Sequence, residues 1–394
     1  MTSDAIRYAA AACQTDLPNP IERGQMRANT DRMLSMIQSA VDGSAPFLPV
    51  RLIVFPEFAH CAPVYPSVGE LLRHLAVPIP NEHTDRIEQK ARELGVYVQT
   101  GSMIEVDPKW PQLVFNTSCL IGPEGILYKY RKVNPWIPYE VHSSPHDLPD
   151  YDEALFPVAD TPIGRIGCAI CYDWLFPEAI RQLAANGAEV FVRVSAYMDP
   201  WGATEPMNWW TLVNRCRALE NTGFVVAANQ GASLRHYPPY SWPGGSQIVD
   251  FDGRLLAEAS PGPGERIVVA PIDITALRHE RATRRGHHML AHLRTEAYPV
   301  YAKHRYPPEL PGALSYEHNV ALIDAAKESD VRPTLATKLF VAQRNERIAT
   351  RRTPRGQVAR EQPDGSEDGG SRGETQGIER RHPEEHRPQR TRDE

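Results

Sequence analysis

Cysteine is scarce in this 394-residue chain: six residues, too few for a disulfide scaffold at this length. That scarcity points to a reducing, cytoplasmic setting. Positive charge is also in short supply, since 43 Lys+Arg stand against 49 Asp+Glu for a net charge of −6. A nucleic-acid binder would normally carry a basic excess or stripe, so that class is set aside. No apolar run approaches the ~18 residues a membrane span needs. The opening MTSDAIRYAAAACQTD lacks the basic-then-apolar order of a secretion signal, so none is expected. There is no short repeat.

Proline, by contrast, is abundant at 36 residues, nearly twice the usual ~5%. It implies many long, shaped loops and argues against an uninterrupted helical bundle. Charge is concentrated at one end. Residues 351–394 hold 10 Arg and 10 acidic residues, with Val358, Ala359 and Ile378 as the apolar ones. Such a segment cannot bury enough surface to offset the entropy of ordering it, so it reads as a disordered tail. It is either a solvated tail or a binding arm.

Upstream of the tail, short apolar runs alternate with helical patterns. Strands are expected at Tyr8–Cys13, Leu52–Phe55, Val96–Ile104, Val114–Ile121, Ile126–Tyr130, Arg165–Ile170, Glu189–Val194, Gly223–Ala228, Gln247–Phe251, Arg254–Ala257 and Ile267–Pro271. Helices are expected over Met26–Ala40, stopped by Asp42-Gly43, and over Thr84–Leu94, closed by Gly95. Two more are expected over Pro177–Ala185 and Asn208–Asn221. Hairpins interrupt the strand–helix alternation, which implies α/β architecture with mixed sheets and outer helices.

Three strand ends carry chemistry. In RLIVFPEFAH, an apolar strand ends at Pro56 and Glu57 follows between Phe55 and Phe58. A poorly solvated carboxylate there has a raised pKa and suits a general base; the alternative is a surface carboxylate at a strand edge. In YKYRKVNPWIPYE, Lys132 leaves a strand for an aromatic, proline-stiffened loop that ends at Glu140. That lysine is either an oxyanion partner or a solvated cation. In GCAICYDWLFPE, a strand runs into Cys171 and Pro177 opens the next helix. This is a strand–nucleophile–helix elbow, which exposes a side chain at the top of a sheet. A thiol near a helix start and a lysine is favoured as thiolate.

Cys168 and Cys171 also spell C-x-x-C, which leaves a thiol oxidoreductase as an alternative. Against it, Cys168 falls within the strand, where alternate side chains point inward. One C-x-x-C supplies only two of the four ligands zinc requires. No metal or other cofactor is expected. Cys13, Cys61, Cys119 and Cys216 read as small hydrophobes.

Taken together, these motifs resemble the nitrilase superfamily, the carbon–nitrogen hydrolases. The resemblance spans roughly residues 6–300 and rests on RYAAAACQTD, VFPEF, QTGSMIE, FNTSCLIGPEGILYKYRK, ICYDWLFPE, GAEVFVRVSAY, ALENTGFVVAANQ and GGSQIVDFDGRLLAEA, in that order. It implies an α-β-β-α sandwich over residues 1–300, and a homo-oligomer, dimer or higher, built by packing helices of neighbouring subunits. Residues 301–350 then read as an arm that packs on a neighbouring subunit or folds back on its own subunit.

The resemblance also implies roles. Cys171 is the nucleophile, Glu57 the general base, and Lys132, with the backbone N–H of Tyr172, the stabiliser of the tetrahedral intermediate. In the aliphatic amidase and formamidase branch a second glutamate follows a lysine–proline–tryptophan loop; KVNPWIPYE looks like that loop, which gives Glu140 the role. Cys171-Tyr172-Asp173 is the amidase and carbamoylase pattern, whereas nitrilases carry Cys-Trp-Glu. Tyr172 and Trp174 replace an acidic residue and a glycine that follow the cysteine in the aliphatic branch. The expected substrate is a small-molecule carboxamide, hydrolysed to acid and ammonia. A carbamoylase is the alternative, with Arg193, Arg215 or Arg235 available to a substrate carboxylate. A nitrilase and a non-catalytic assembly protein on the same fold stand behind it. Acyl-pocket candidates are Phe58, Trp136, Tyr139, Tyr172, Trp174, Ala196, Tyr197 and Trp201.

Overall fold

A computed structural model describes residues 5–136, 139–199, 202–237, 242–298, 301 and 320–321. All of these belong to the first of two units, residues 1–332. Trp201, the expected tail over 351–394 and nearly all of the expected arm lie outside the described residues.

Two mixed sheets form the centre. In the first, β1 (Arg7–Gln14), β2 (Val50–Val54) and β3 (Tyr97–Gln99) run parallel. They are flanked by antiparallel β13 (Arg266–Asp273) on one side. On the other stand β5 (Phe115–Gly122), β4 (Met103–Glu105) and β6 (Gly125–Arg131). In the second, β8 (Gly164–Ile170), β9 (Val190–Ser195) and β10 (Phe224–Asn229) are parallel. Antiparallel β7 (Val158–Thr161), β11 (Gln247–Val249) and β12 (Leu255–Glu258) complete it. Parallel neighbours need crossovers, and helices supply them. These are α1 (Met26–Ser44), α3 (Glu82–Leu94), α4 (Pro177–Ala185) and α5 (Trp209–Asn221).

The alanine run of β1 shows how the layers stack. Tyr8, Ala10 and Ala12 join a core with Ile170, Val192, Val194 and Val226 of the second sheet. Ala9, Ala11 and Cys13 instead meet Met33, Ile37 and Ala40 of α1 and Ile87 of α3. Both faces of the strand are covered, so its residues are apolar on both sides. The architecture is the four-layer α-β-β-α sandwich.

Several boundaries differ from expectation. Helix α1 runs through Asp42-Gly43 to Ser44. An interior glycine costs a helix only about 1 kcal/mol, and burial of Met33, Met36, Ile37 and Ala40 outweighs it. The stretch expected as one strand over Val96–Ile104 breaks into β3 and β4. Gly101 sits in the break, where an added Cβ would lie 2.3 Å from the Ala59 Cβ and 2.7 Å from the Pro56 carbonyl oxygen. That close approach seats the turn carrying Glu57. Three short elements had no strong periodicity to announce them: α2 (Val68–His74), β7 and α6 (Ile274–Thr283).

Candidate active site

Glu57, Lys132 and Cys171 each follow the carboxyl end of a strand, β2, β6 and β8 respectively, and the two sheets bring them together. After β2, Phe55-Pro56 leads into a turn in which Phe58 adopts a left-handed φ of 63°. The Phe58 N–H donates to Ser102 Oγ. The turn points Glu57 inward, where it is 1% exposed. Glu57 Oε1 accepts from Asn116 Nδ2 and from Lys132 Nζ, both at 2.9 Å. Its Oε2 accepts from the Ala196 N–H at 3.0 Å.

Lys132 is equally buried. Its backbone N–H donates to the Asn116 carbonyl, and its ammonium also reaches both Glu140 oxygens, at 3.0 and 2.8 Å. Glu140 closes the aromatic loop, and the Trp136 N–H donates back to it. The His142 ring stands 3.6 Å from the same carboxylate. Burial pushes that imidazole down to about 4, with Glu140 opposing, so it is neutral at physiological pH.

The electrostatics follow from burying two carboxylates around one ammonium. Burial raises the Glu57 pKa, Lys132 opposes that rise, and the Glu140 charge adds to it. Burial would lower Lys132, but Glu140 and Glu57 outweigh it and hold the ammonium above its usual range. Glu140 is held below its usual range because Lys132 overcomes the burial penalty. One carboxylate is thereby kept basic and the other ionised.

Cys171 takes a left-handed φ of 46° at the end of β8. A non-glycine residue there is strained, as the elbow geometry requires. A 3-10 turn over Cys171–Leu175 leads to Pro177 at the start of α4. The thiol lies beside Glu57 and Ser195. Burial, then the Glu57 anion, pushes it up to about 12. Such a thiol is neutral at rest, against the expectation of a thiolate from its place before a helix and near a lysine; burial outweighs both.

Asp173 ties the elbow to the lysine loop. It accepts from the Ile170 N–H at 2.9 Å and the Tyr130 hydroxyl at 2.7 Å. The Asn134 N–H and Nδ2 donate to it at 2.8 and 2.9 Å. Neither Asp173 nor Asn116 was expected in a site role. The available signal was a polar residue at a position the strand or turn pattern buries.

A cavity of about 290 Å³ opens onto Cys171, lined by Trp136, Tyr172, Leu175, Ala196, Tyr197, Met198 and Trp209. Of the expected pocket residues, Trp136, Tyr172, Ala196 and Tyr197 stand here. Trp174 does not. It is fully buried in the main core and its indole N–H donates to the Ala169 carbonyl. The dihedrals of the 3-10 turn send it inward, away from the cavity. Tyr139 is 54% exposed with its ring 4.6 Å from Trp136, and Phe58 packs with Ala62, Ala196, Ala232 and Trp242.

None of the three arginines offered to a substrate carboxylate lines the cavity. Arg193 is buried, Arg215 donates to the Gly253 carbonyl and Arg235 is exposed. Cys168 lies in the core between the sheets, and all six cysteines are free. Among the described residues no helix is long and apolar enough to cross a membrane.

The carbon–nitrogen hydrolase family model matches residues 9–281. Formamidases of Bacillus cereus and Bacillus anthracis are 29% identical over 257 residues, 64% of this chain and 71% of theirs. Among solved structures, a Saccharomyces cerevisiae member of branch 10 of the nitrilase superfamily superposes with a TM-score of 0.56 at 24% identity, covering 72% of this chain and 99% of that one. A carbon–nitrogen hydrolase from Helicobacter pylori gives 0.59 at 20%, covering 76% and 99%. An amidase from Nesterenkonia sp. AN1, in which the acetamide moiety of fluoroacetamide is added covalently at the active-site cysteine, gives 0.54 at 21%, covering 75% and 96%. At these identities the structural likenesses show a shared fold.

Proposed function

Because the chain belongs to the carbon–nitrogen hydrolase family, in the nitrilase superfamily and on its amidase-like side, we propose that it hydrolyses a small linear carboxamide to the acid and ammonia through a thioester on Cys171. The observation that carries this reading is the buried Lys132 ammonium shared by Glu57 and Glu140, with Cys171 beside Glu57.

An amide is a poor electrophile, so the reaction needs a strong nucleophile, a base, an oxyanion site and a proton for the leaving nitrogen. Glu57 takes the Cys171 proton and the sulfur attacks the carbonyl carbon. The carbonyl electron pair moves onto oxygen, where Lys132 and the Tyr172 N–H meet it. Glu57 returns the proton to the nitrogen, the C–N bond breaks and ammonia leaves. Glu57 then draws a proton from water, whose oxygen attacks the thioester and releases the acid and the thiol. Glu140 holds Lys132 in place and orients the substrate.

The cavity supports a small acyl group: its volume is at the low end for ligand sites, ~300–1,000 Å³, and its lining is apolar. The formamidase relatives and the Nesterenkonia amidase point the same way. The proposal extends to a cytoplasmic homo-oligomer. Free cysteines suit a reducing compartment, and Met207, Trp209, Leu212 and Leu219 place exposed apolar surface on and beside α5.

Ammonia release from formamide, acetamide, propionamide and aromatic amides tests the reading, with Cys171→Ala as control. Release from the short amides, abolished in the control, is expected. Turnover of N-carbamoyl amino acids with no amide cleaved would replace it with the carbamoylase reading.

A further inference from the structure

A second cation stands behind the nucleophile. Arg193 lies on β9 in register with Ala169, two residues before Cys171 on the neighbouring strand, and with Ala227 on the other side. Ser195 shares its face of the sheet and lies beside the thiol. The Arg193 side chain is fully buried. Buried guanidinium groups are normally paired with carboxylates. This one forms no ion pair among the described residues. Its Nη1 donates to Asn214 Oδ1 at 2.7 Å, and its Nε and Nη2 have no hydrogen-bond partner.

Aromatic rings take the place of a counter-ion. The guanidinium carbon stands 4.1 Å from the Trp210 ring centroid, 5.3 Å from Trp174 and 5.5 Å from Tyr197. Cation–π attraction offsets part of the desolvation cost and leaves the charge unneutralised. Glu57 and Glu140, meanwhile, share a single ammonium. When Cys171 loses its proton to Glu57, the negative charge passes from Glu57 to sulfur, and Lys132, still held by Glu140, does not neutralise both anions.

We infer that Arg193 is the standing positive charge against which Cys171 ionises, and that the Trp174–Tyr197–Trp210 box and Asn214 exist to keep that charge free of a carboxylate. In this step the S–H bond breaks, the proton goes to Glu57 and the electron pair stays on sulfur. Arg193 acts through the thiol rather than on the substrate. The inference rests on Cys171 being the nucleophile. Electrostatic attraction between the two groups runs both ways: Arg193 favours the thiolate, and the Cys171 charge favours the guanidinium against burial, which lowers Arg193 to about 10.

The test is the pH dependence of alkylation by iodoacetamide in the full-length protein, with the modified cysteine identified by peptide mass spectrometry. Arg193→Met removes the charge, Arg193→Lys keeps it, and Asn214→Asp places a carboxylate on the guanidinium with almost no change of volume. Glu57, Lys132, Tyr197 and Arg217, the other titratable and charged groups facing this pair, stay in place throughout. The midpoint for Cys171 is expected to rise by on the order of one unit in Arg193→Met and in Asn214→Asp, about tenfold in rate below the midpoint. Arg193→Lys should stay near the parent. If Arg193→Met fails to fold, Asn214→Asp decides. An unchanged midpoint in Asn214→Asp, with Cys171 alkylated normally, overturns the inference. Absence of any adduct on Cys171 in the parent protein overturns the nucleophile reading and this inference with it.

Discussion

The Lys132 ammonium stands 2.9 Å from Glu57 Oε1 in a site where both side chains are excluded from water. The same ammonium lies 2.8 Å from Glu140, so one cation holds two buried carboxylates apart in function. Glu57 is pushed toward the basic carboxylate a proton acceptor needs, and Glu140 stays an anion.

Removing that cation should be costly twice. Lys132→Ala loses an oxyanion partner, worth ~10²–10³ in rate. It also leaves two carboxylates buried without a counter-charge, which typically destabilises a fold by about 3–5 kcal/mol. Ammonia release and thermal unfolding measure the two effects. Activity within tenfold of the parent would remove Lys132 from the oxyanion role.

The acid limb of the kcat/KM profile should report Glu57. Below its pKa Glu57 is protonated and cannot accept the thiol proton, so activity falls as pH falls. Because burial and Glu140 raise that pKa above 4.5, the limb is expected above the ordinary carboxylate range. In Glu140→Gln the neighbouring anion is gone and Lys132 turns wholly to Glu57, so the limb moves to lower pH even as the rate drops. A limb that moves upward would contradict this assignment.

Asp173 should matter without touching substrate. Asp173→Ala strips an acceptor from Tyr130, Asn134 and the Ile170 N–H at once. Each buried donor left unsatisfied costs ~1–3 kcal/mol, and the elbow loosens from the lysine loop. Equilibrium unfolding should show the loss, and kcat should fall more than KM rises. A variant of parental stability would show that these donors find other partners.

Leu175 bounds the cavity beside Cys171. Leu175→Ala should shift preference toward longer acyl chains, since one methylene in an apolar pocket is worth ~1–3 kcal/mol. Relative kcat/KM for butyramide against acetamide should rise by roughly tenfold. An unchanged ratio would place the acyl chain elsewhere.

Glu57, Lys132 and Cys171 were legible because each follows an apolar strand and sits among prolines or aromatics, a local signature of a strand end. Glu140 alone reads as an ordinary loop carboxylate, and only the resemblance of KVNPWIPYE to the aliphatic amidase and formamidase loop singled it out. Asn116 was not legible, since its partner lies 59 residues away in sequence and it reads as one of three consecutive polar residues, Asn116-Thr117-Ser118, in a strand. Trp174 misled for the opposite reason. Its proximity to Cys171 in sequence is plain, but its direction depends on the 46° φ at Cys171 and the 3-10 turn beyond. Helix α1 ran past its expected stop because packing against the first sheet outweighs the breaking tendency of Asp42-Gly43. Pattern located the strand ends; which groups face each other across them depended on tertiary register.

Mass spectrometry of the protein quenched during turnover of a short amide decides whether Cys171 carries the acyl group. The expected result is an added mass equal to the acyl group, confined to the peptide carrying Cys171, and no adduct or ammonia release in Cys171→Ala. Sustained ammonia release by Cys171→Ala, or an acyl group on another residue, would contradict it.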